Sequence, residues 1–302
     1  MDKQPYQRNY GFWNETEQEL LSKAKVAIAG AGGDGFQLGY KLAMMGVSNF
    51  SIADPETFEP ENSNRVFGAT YSNSGKNKAE VFKEMVNDIR PDASVNIYTD
   101  GVNKDNIKEF MHGASLVLDE SELTKLEIGT MIARTAREQN IPNLLVMNIG
   151  FAAIATSFRP NNGKTFEDIM GIPKNMPLDE VADMKVDFSR CLPYVPKYGD
   201  INTLIAVNDG APLPSISQGV DIASAIGTTE AFFHITQGSN NHRRQPTWAP
   251  NFRYMDSYNG DSGVTRLPRL SHYLGLIAMF SGSKFGLNPR ASYSKEERDS
   301  HK

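Results

Sequence analysis

Between residues 25 and 150 the chain alternates five short apolar runs with helix-length amphipathic stretches, and this alternation is its strongest constraint on fold. The runs are KVAIA at 25–29, NFSIAD at 49–54, SVNIYTD at 94–100, SLVLD at 115–119 and NLLVMNIG at 143–150. Between them, FQLGYKLAMMG, NKAEVFKEMVNDIR and LTKLEIGTMIARTAREQN read as helices, the first stopped by Gly46 and the second by Pro91. NETEQELLS at 14–22 reads as an N-capped helix ahead of the first strand. Strands alternating with helices at this spacing predict βαβ units, hence an α/β, Rossmann-like, mostly parallel sheet flanked by helices. Right-handed crossovers then bring the ends of the first, second and fourth strands to one edge.

Past Gly150 the rhythm changes. AAIATSFRP reads as one more strand, and residues 159–212 are proline-dotted and irregular, as expected of a crossover segment covering a site. DIASAIGTTEAFFHIT reads as a helix whose small residues permit close packing, and FRYMDSYNG and GVTRLPRL read as late antiparallel strands. The tail SYSKEERDSHK is expected to be loose. No repeat or linker interrupts the 302 residues. We therefore expect a single domain: a nucleotide-binding core over 1–158, a covering segment over 159–212, and a packing helix with late strands and tail over 213–302.

Composition narrows the classes. A net charge of −5 supplies no bulk field for nucleic acid or an acidic membrane. No apolar run approaches the roughly 20 residues that span a bilayer, and MDKQPYQRNYGFW lacks a signal-peptide core. One cysteine excludes an internal disulfide and fits a cytoplasmic setting. The five histidines have no metal-ligand spacing, so no structural zinc is expected.

The chemistry-bearing stretch is GAGGDG at 30–35, a G-x-G-x-x-G pattern between strand and helix. Gly30, Gly32, Gly33 and Gly35 let the backbone approach a phosphate while the helix N-terminus offers N–H groups. Asp54, ending the second strand, suits ribose hydroxyls, equally for NAD and ATP. Behind it, DPETFEPENSNRVFGAT and GKNKAEVFKEM bring Asn62, Arg65 and Lys78. A dinucleotide has no need of both cations. A triphosphate attacked at its α-phosphorus does, because charge grows on the leaving pyrophosphate. Solvated surface charge is the competing reading for Arg65 and Lys78.

Taken in order, QRNY, AKVAIAGAGGDG, SIADPETFEPENSNRV, GKNKAEV, LVLDESEL and LPSISQGVDIASAIG resemble the ThiF/MoeB/HesA family, bacterial relatives of ubiquitin-activating enzymes. The likeness covers about residues 5–160 and returns weakly at 213–230. It implies ATP-dependent adenylation of a carboxylate, usually that of a peptide or small carrier protein, with release of pyrophosphate. It also implies that Gly30, Gly32, Gly33 and Gly35 form the nucleotide loop, that Asp54 binds ribose, and that Asn62, Arg65 and Lys78 hold phosphates. Asp119 matches a magnesium-associated aspartate, and Arg8 an arginine that reaches into the neighbouring site of a homodimer. Asp119 alone would equally serve as a helix N-cap before ESEL.

The departures carry information too. Asp34 and Phe36 stand where relatives usually have small or aliphatic residues, and an acid beside phosphates is unfavourable unless it points away or meets a metal. The VLDCTDN-like segment reads VLDESEL, so its cysteine is gone and its second acid is Glu122. The paired CxxC zinc motifs are absent. Cys191 lies where some members carry an acceptor cysteine, but no motif surrounds it and a buried, inert thiol is expected. The sequence thus reads as an adenylyltransferase using ATP and Mg²⁺, closer to the branch that modifies ribosomal peptides than to activators of ubiquitin-like sulfur carriers. A nicotinamide-dependent oxidoreductase and a catalytically silent scaffold are the rival classes.

Overall fold

The computed structural model describes residues 4–196, 198–208, 211–239 and 244–267, together with 273, 274, 277 and 281. Its strands are β1 (Lys25–Ala29), β2 (Asn49–Ala53), β3 (Ser94–Tyr98), β4 (Leu116–Asp119), β5 (Asn143–Ile149), β6 (Ala152–Phe158), β7 (Asn251–Asp256) and β8 (Asp261–Arg266). They form one sheet in the order β3-β2-β1-β4-β5-β6-β7-β8. The first five strands pair in parallel and the last three antiparallel. Strand order therefore reverses at β1, and the crevice beyond its C-terminal end is where open α/β sheets bind ligands.

The helices are α1 (Glu15–Lys23), α2 (Gly33–Met45), α3 (Lys78–Ile89), α4 (Ile107–Met111), α5 (Leu126–Glu138), α6 (Phe166–Met170), α7 (Leu178–Ala182), α8 (Phe188–Cys191), α9 (Ile201–Asn208) and α10 (Ser217–Ile235). The central strands are apolar throughout because helices cover both faces. Val26, Ile28, Leu116 and Leu118 pack towards α2, α3 and α10. Ala27, Ala29 and Val117 pack towards α4 and α5. A further core joins β5–β7 to the covering segment through Leu145, Ile154, Phe166, Phe188 and Phe252.

The expected strands and major helices all appear. Asn14 caps α1 in a reciprocal box with Glu17. Three readings change. The covering segment is not irregular: it carries α6–α9, each too short to register as a periodic pattern. Helix α4, only five residues long, was hidden for the same reason. The small residues of α10 are used within the subunit. A Cβ on Gly219 would lie 2.2 Å from the Gly150 carbonyl, and one on Gly227 2.4 Å from Leu38. Close packing therefore seats α10 on α2 and the sheet, and that feature no longer argues for a homodimer. The tail at 292–302 and the end of GVTRLPRL lie outside the described residues.

Glu230 on α10 is fully buried and ties the chain ahead of β7 to this helix. It accepts hydrogen bonds from the Thr247 amide at 2.7 Å and hydroxyl at 3.2 Å, and pairs with Arg244 at 2.9 Å. Glu230→Gln keeps the shape but removes the charge. It should lower unfolding free energy by about 1–2 kcal/mol, read as a lower urea midpoint with an unchanged slope.

Candidate active site

The glycine loop follows directly from β1. Gly30 has φ +108°, and a Cβ there would sit 2.2 Å from the Glu120 carbonyl. A Cβ on Gly35 would sit 2.1 Å from the Gly30 carbonyl. Glycine is required at both, by backbone conformation at the first and by close approach at both. The loop is shorter than its pattern implies: Gly32 is the N-cap and α2 begins at Gly33, so Gly33, Asp34 and Gly35 already form the first helical turn. The first-turn N–H groups of α2 have no partners within the helix and mark an anion-binding end.

Asp54 is buried beside this loop. It accepts from the Ala31 amide at 2.6 Å and the Glu56 amide at 2.8 Å, so it holds the loop. Burial raises its pKa. Lys78 opens α3, buried, with Nζ 2.6 Å from Glu56. Asn62 is buried in a short 3-10 turn; its side chain accepts from the Glu59 amide and its carbonyl accepts from the Arg65 and Val66 amides. Asn62 thereby shapes the turn that presents Arg65.

On the other side of the loop lies a cavity of about 550 Å³. Its floor includes Gly32–Gly35, Arg65, Glu120 and Glu122, and β5 contributes Asn148 and Ile149. The covering segment supplies an apolar wall through Phe188, Leu192, Val195 and Tyr198, with Leu213 just before α10. The structure thus divides the sequence-derived residues. Asp54, Asn62 and Lys78 gather towards β2 and do not line the cavity, whereas Arg65 does.

Asp119 requires a correction. Side chains alternate along a strand, and Asp119 shares the face of Val117, so it points under the sheet towards α5. It is 1% exposed, and its Oδ2 lies 3.3 Å from where a Gly129 Cβ would be. Its Oδ1 accepts from the Ser121 hydroxyl at 2.6 Å and amide at 3.3 Å. Burial pushes its pKa to about 6. It caps the 119–121 turn rather than a helix, since α5 begins only at Leu126. Glu120 and Glu122 are the acidic residues of this segment that line the cavity. VLDESEL already showed both; the strand's two-residue period was the signal that could have separated them from Asp119.

Asp34 neither points away nor stays exposed. Its Oδ2 accepts from the Asn148 amide at 3.0 Å and side-chain amide at 2.9 Å, and Asn148 in turn accepts from Ser215 at 3.0 Å. Burial raises Asp34 to about 7. Arg8 sits exposed in a 3-10 helix (Gln4–Asn9) and does not line this chain's cavity. Among the described residues, no cluster of three or more histidine, cysteine or acidic side chains suits a metal ion. Cys191 is 1% exposed, and burial, aided by Asp187, pushes its thiol up to about 12. A thiol so held is a packing group. Cys191→Ala should therefore leave ATP–pyrophosphate exchange within about twofold of wild type, while lowering stability by about 1 kcal/mol in thermal unfolding.

A parallel sheet reversing at a glycine-loop strand, with an anion-binding helix end opening onto an apolar cavity, defines a nucleotide-binding α/β protein of the Rossmann type. The chain belongs to the ThiF family, whose model matches residues 6–272. Over 152 residues, 49% of the chain, it is 29% identical to the NEDD8-activating enzyme E1 regulatory subunit of Danio rerio, covering 28% of that protein. Over 108 residues, 35% of the chain, it is 32% identical to the tRNA threonylcarbamoyladenosine dehydratase of Escherichia coli K12, covering 40% of it. The chain thus spans well under half the length of these curated relatives. In fold it resembles the crystal structure of E. coli MccB with ATP, at TM-score 0.65 and 17% identity over 88% of this chain and 72% of that one. PaaA is comparably similar, at TM-score 0.63 and 16% identity over 89% and 74%. Among the described residues no helix is long and apolar enough to cross a membrane.

Proposed function

We propose that this protein is an ATP-dependent adenylyltransferase that activates the terminal carboxylate of a peptide or small carrier protein. The observation that carries this reading is the junction of the α2 N-terminus with Arg65 and an apolar cavity. Nucleotide phosphates at the helix end would have Asp54 and Lys78 on one side and the acyl group on the other. Attack of the carboxylate on the α-phosphorus needs no side-chain nucleophile. Positioning and charge stabilisation by loop amides, Arg65 and Lys78 supply the catalysis. Asn62 supports Arg65 through the turn it closes.

Magnesium would be held by Glu122, an exposed cavity-lining residue whose carboxylate accepts from the Thr124 hydroxyl at 2.9 Å and lies 3.6 Å from Lys125. Mg²⁺ is commonly held by one or two carboxylates plus substrate phosphates. It would neutralise phosphate charge there, with Asp119 acting through Ser121 to hold the segment in place. Arg8, exposed and remote from its own cavity lining, is available to a second copy, and a homodimer remains part of the proposal. The similarity to MccB, solved with the peptide MccA, favours a peptide as substrate.

The test has two arms. Calorimetry should show Mg-ATP binding and no comparable NAD binding; the reverse would return the oxidoreductase reading. Pyrophosphate exchange should then respond to peptides with free C-termini and not to their C-terminal amides. ATP binding without exchange across a peptide library and a panel of ubiquitin-like carriers would leave a silent scaffold.

A further inference from the structure

Beyond the helix end that would meet phosphates, the cavity has a wall that the adenylate chemistry does not itself need. Leu145, Phe188, Leu192 and Val195 line it and belong to the buried core that joins β5–β7 to the covering segment; Met147 lines it and packs on that core. The wall is therefore built in advance, and seating a ligand on it costs little ordering. Its polar members hold partners within the protein. The Tyr198 hydroxyl accepts from the Phe151 amide at 3.1 Å. Asp200 accepts from the Asn202 amide at 3.0 Å and side chain at 2.9 Å, and Ser215 donates to Asn148 at 3.0 Å. The cavity holds about 550 Å³. That is within the range of about 300–1,000 Å³ of sites that enclose a whole small ligand. A terminal glycine has no side chain to set against such a wall.

From this geometry we infer that the cavity seats the C-terminal residue of a peptide whose last side chain is large and apolar, of the leucine, methionine or phenylalanine kind. This deepens the adenylation reading and rests on it for the fate of the carboxylate. Two ends fix the direction. The carboxylate belongs at the start of α2 beside Arg65, where first-turn N–H groups meet an anion. Asp54 and Lys78 gather on the β2 side, so the wall of Phe188, Leu192 and Val195 is the side open to the terminal side chain. A leucine or phenylalanine there takes apolar surface out of water on both partners. An aspartate or lysine side chain would shed its water against the same three residues without regaining matched bonds. Full burial of a large apolar side chain corresponds to about tenfold to hundredfold in affinity over glycine.

The test titrates N-acetylated tripeptides Ala-Ala-X calorimetrically into the full chain without nucleotide. X is leucine, phenylalanine, glycine, aspartate or lysine, and the C-terminal amide of the leucine peptide is the control for the carboxylate. We expect the leucine and phenylalanine peptides to bind at least about tenfold more tightly than the other three and the amide. Leu192→Ala should cut the leucine-over-glycine ratio at least about fivefold. Leu213→Asp, at a cavity residue 37% exposed, should do the same and puts the question again if the core truncation does not fold. Equal binding of the glycine peptide or the amide, or tighter binding of the aspartate or lysine peptide, would overturn the inference. So would an unchanged ratio in both variants, or no measurable binding of the leucine peptide at millimolar concentration. Pyrophosphate exchange, run separately on the same peptides, decides the adenylation reading. Exchange supported by glycine and leucine peptides alike keeps that reading and removes the apolar preference. Leucine preference in binding, without exchange for any peptide, does the reverse.

Discussion

Replacing Asp34 with asparagine should make the protein more stable at pH 8, by about 2–4 kcal/mol. The native pKa of Asp34 is about 7, against about 3.9 for an unfolded aspartate. Between these values the folded chain holds a proton that the unfolded chain has released. Native stability therefore falls as pH rises through that window, and the loss is complete above about pH 7. Asparagine carries no charge to desolvate, and its carbonyl oxygen can still accept from both nitrogens of Asn148. The gain should be largest at pH 8 and shrink towards zero near pH 4, measured by urea denaturation of both proteins across that range. A variant less stable than wild type at pH 8 would mean that the ionised carboxylate is favoured in the fold.

Arg65→Ala should reduce peptide-dependent pyrophosphate exchange by about 100-fold, the scale of removing one fixed donor from a developing charge. Arg65 lines the cavity next to Gly33, where a Cβ would lie 3.8 Å from its Cγ, and its guanidinium donates to Asn64 Oδ1 at 2.8 Å. Its removal should weaken Mg-ATP binding less than it slows exchange, since ground-state phosphates keep the α2 N-terminus and Lys78. Lysine at this position restores charge but not the planar fork and should recover activity only in part. Exchange within about threefold of wild type in a folded Arg65→Ala protein would show that another group meets the pyrophosphate.

What the sequence disclosed and what it hid follow from range. Strand alternation, glycine punctuation and the Asn14 cap are local, and they appear where the residues put them. The partition of Asp119, Glu120 and Glu122 depends on which face each carboxylate takes at the end of β4. That is a two-residue periodicity read against a helix, α5, packed from a distance. The Asp34–Asn148–Ser215 chain joins residues more than a hundred positions apart, so no window of sequence contains it. The small residues of α10 announced close packing correctly, but not whether the neighbour was the same chain or another. Short helices within the covering segment bury their apolar residues against β5–β7, and five residues are too few to reveal a period.

The floor and the wall of the cavity come from different stretches of chain. The floor belongs to the loops that follow β1 and β4, to β5 and to the first turn of α2, on strands held in place by parallel pairing. Most of the wall comes from residues 188–203, which leave the sheet after β6 and return as α10. On the proposed adenylation reading, mutational drift in the wall would therefore alter which acyl chains are admitted while the glycine-loop floor stays under separate selection. A lineage built this way can diversify its substrates by exchanging one covering segment for another. Engineers wishing to retarget it would graft there first.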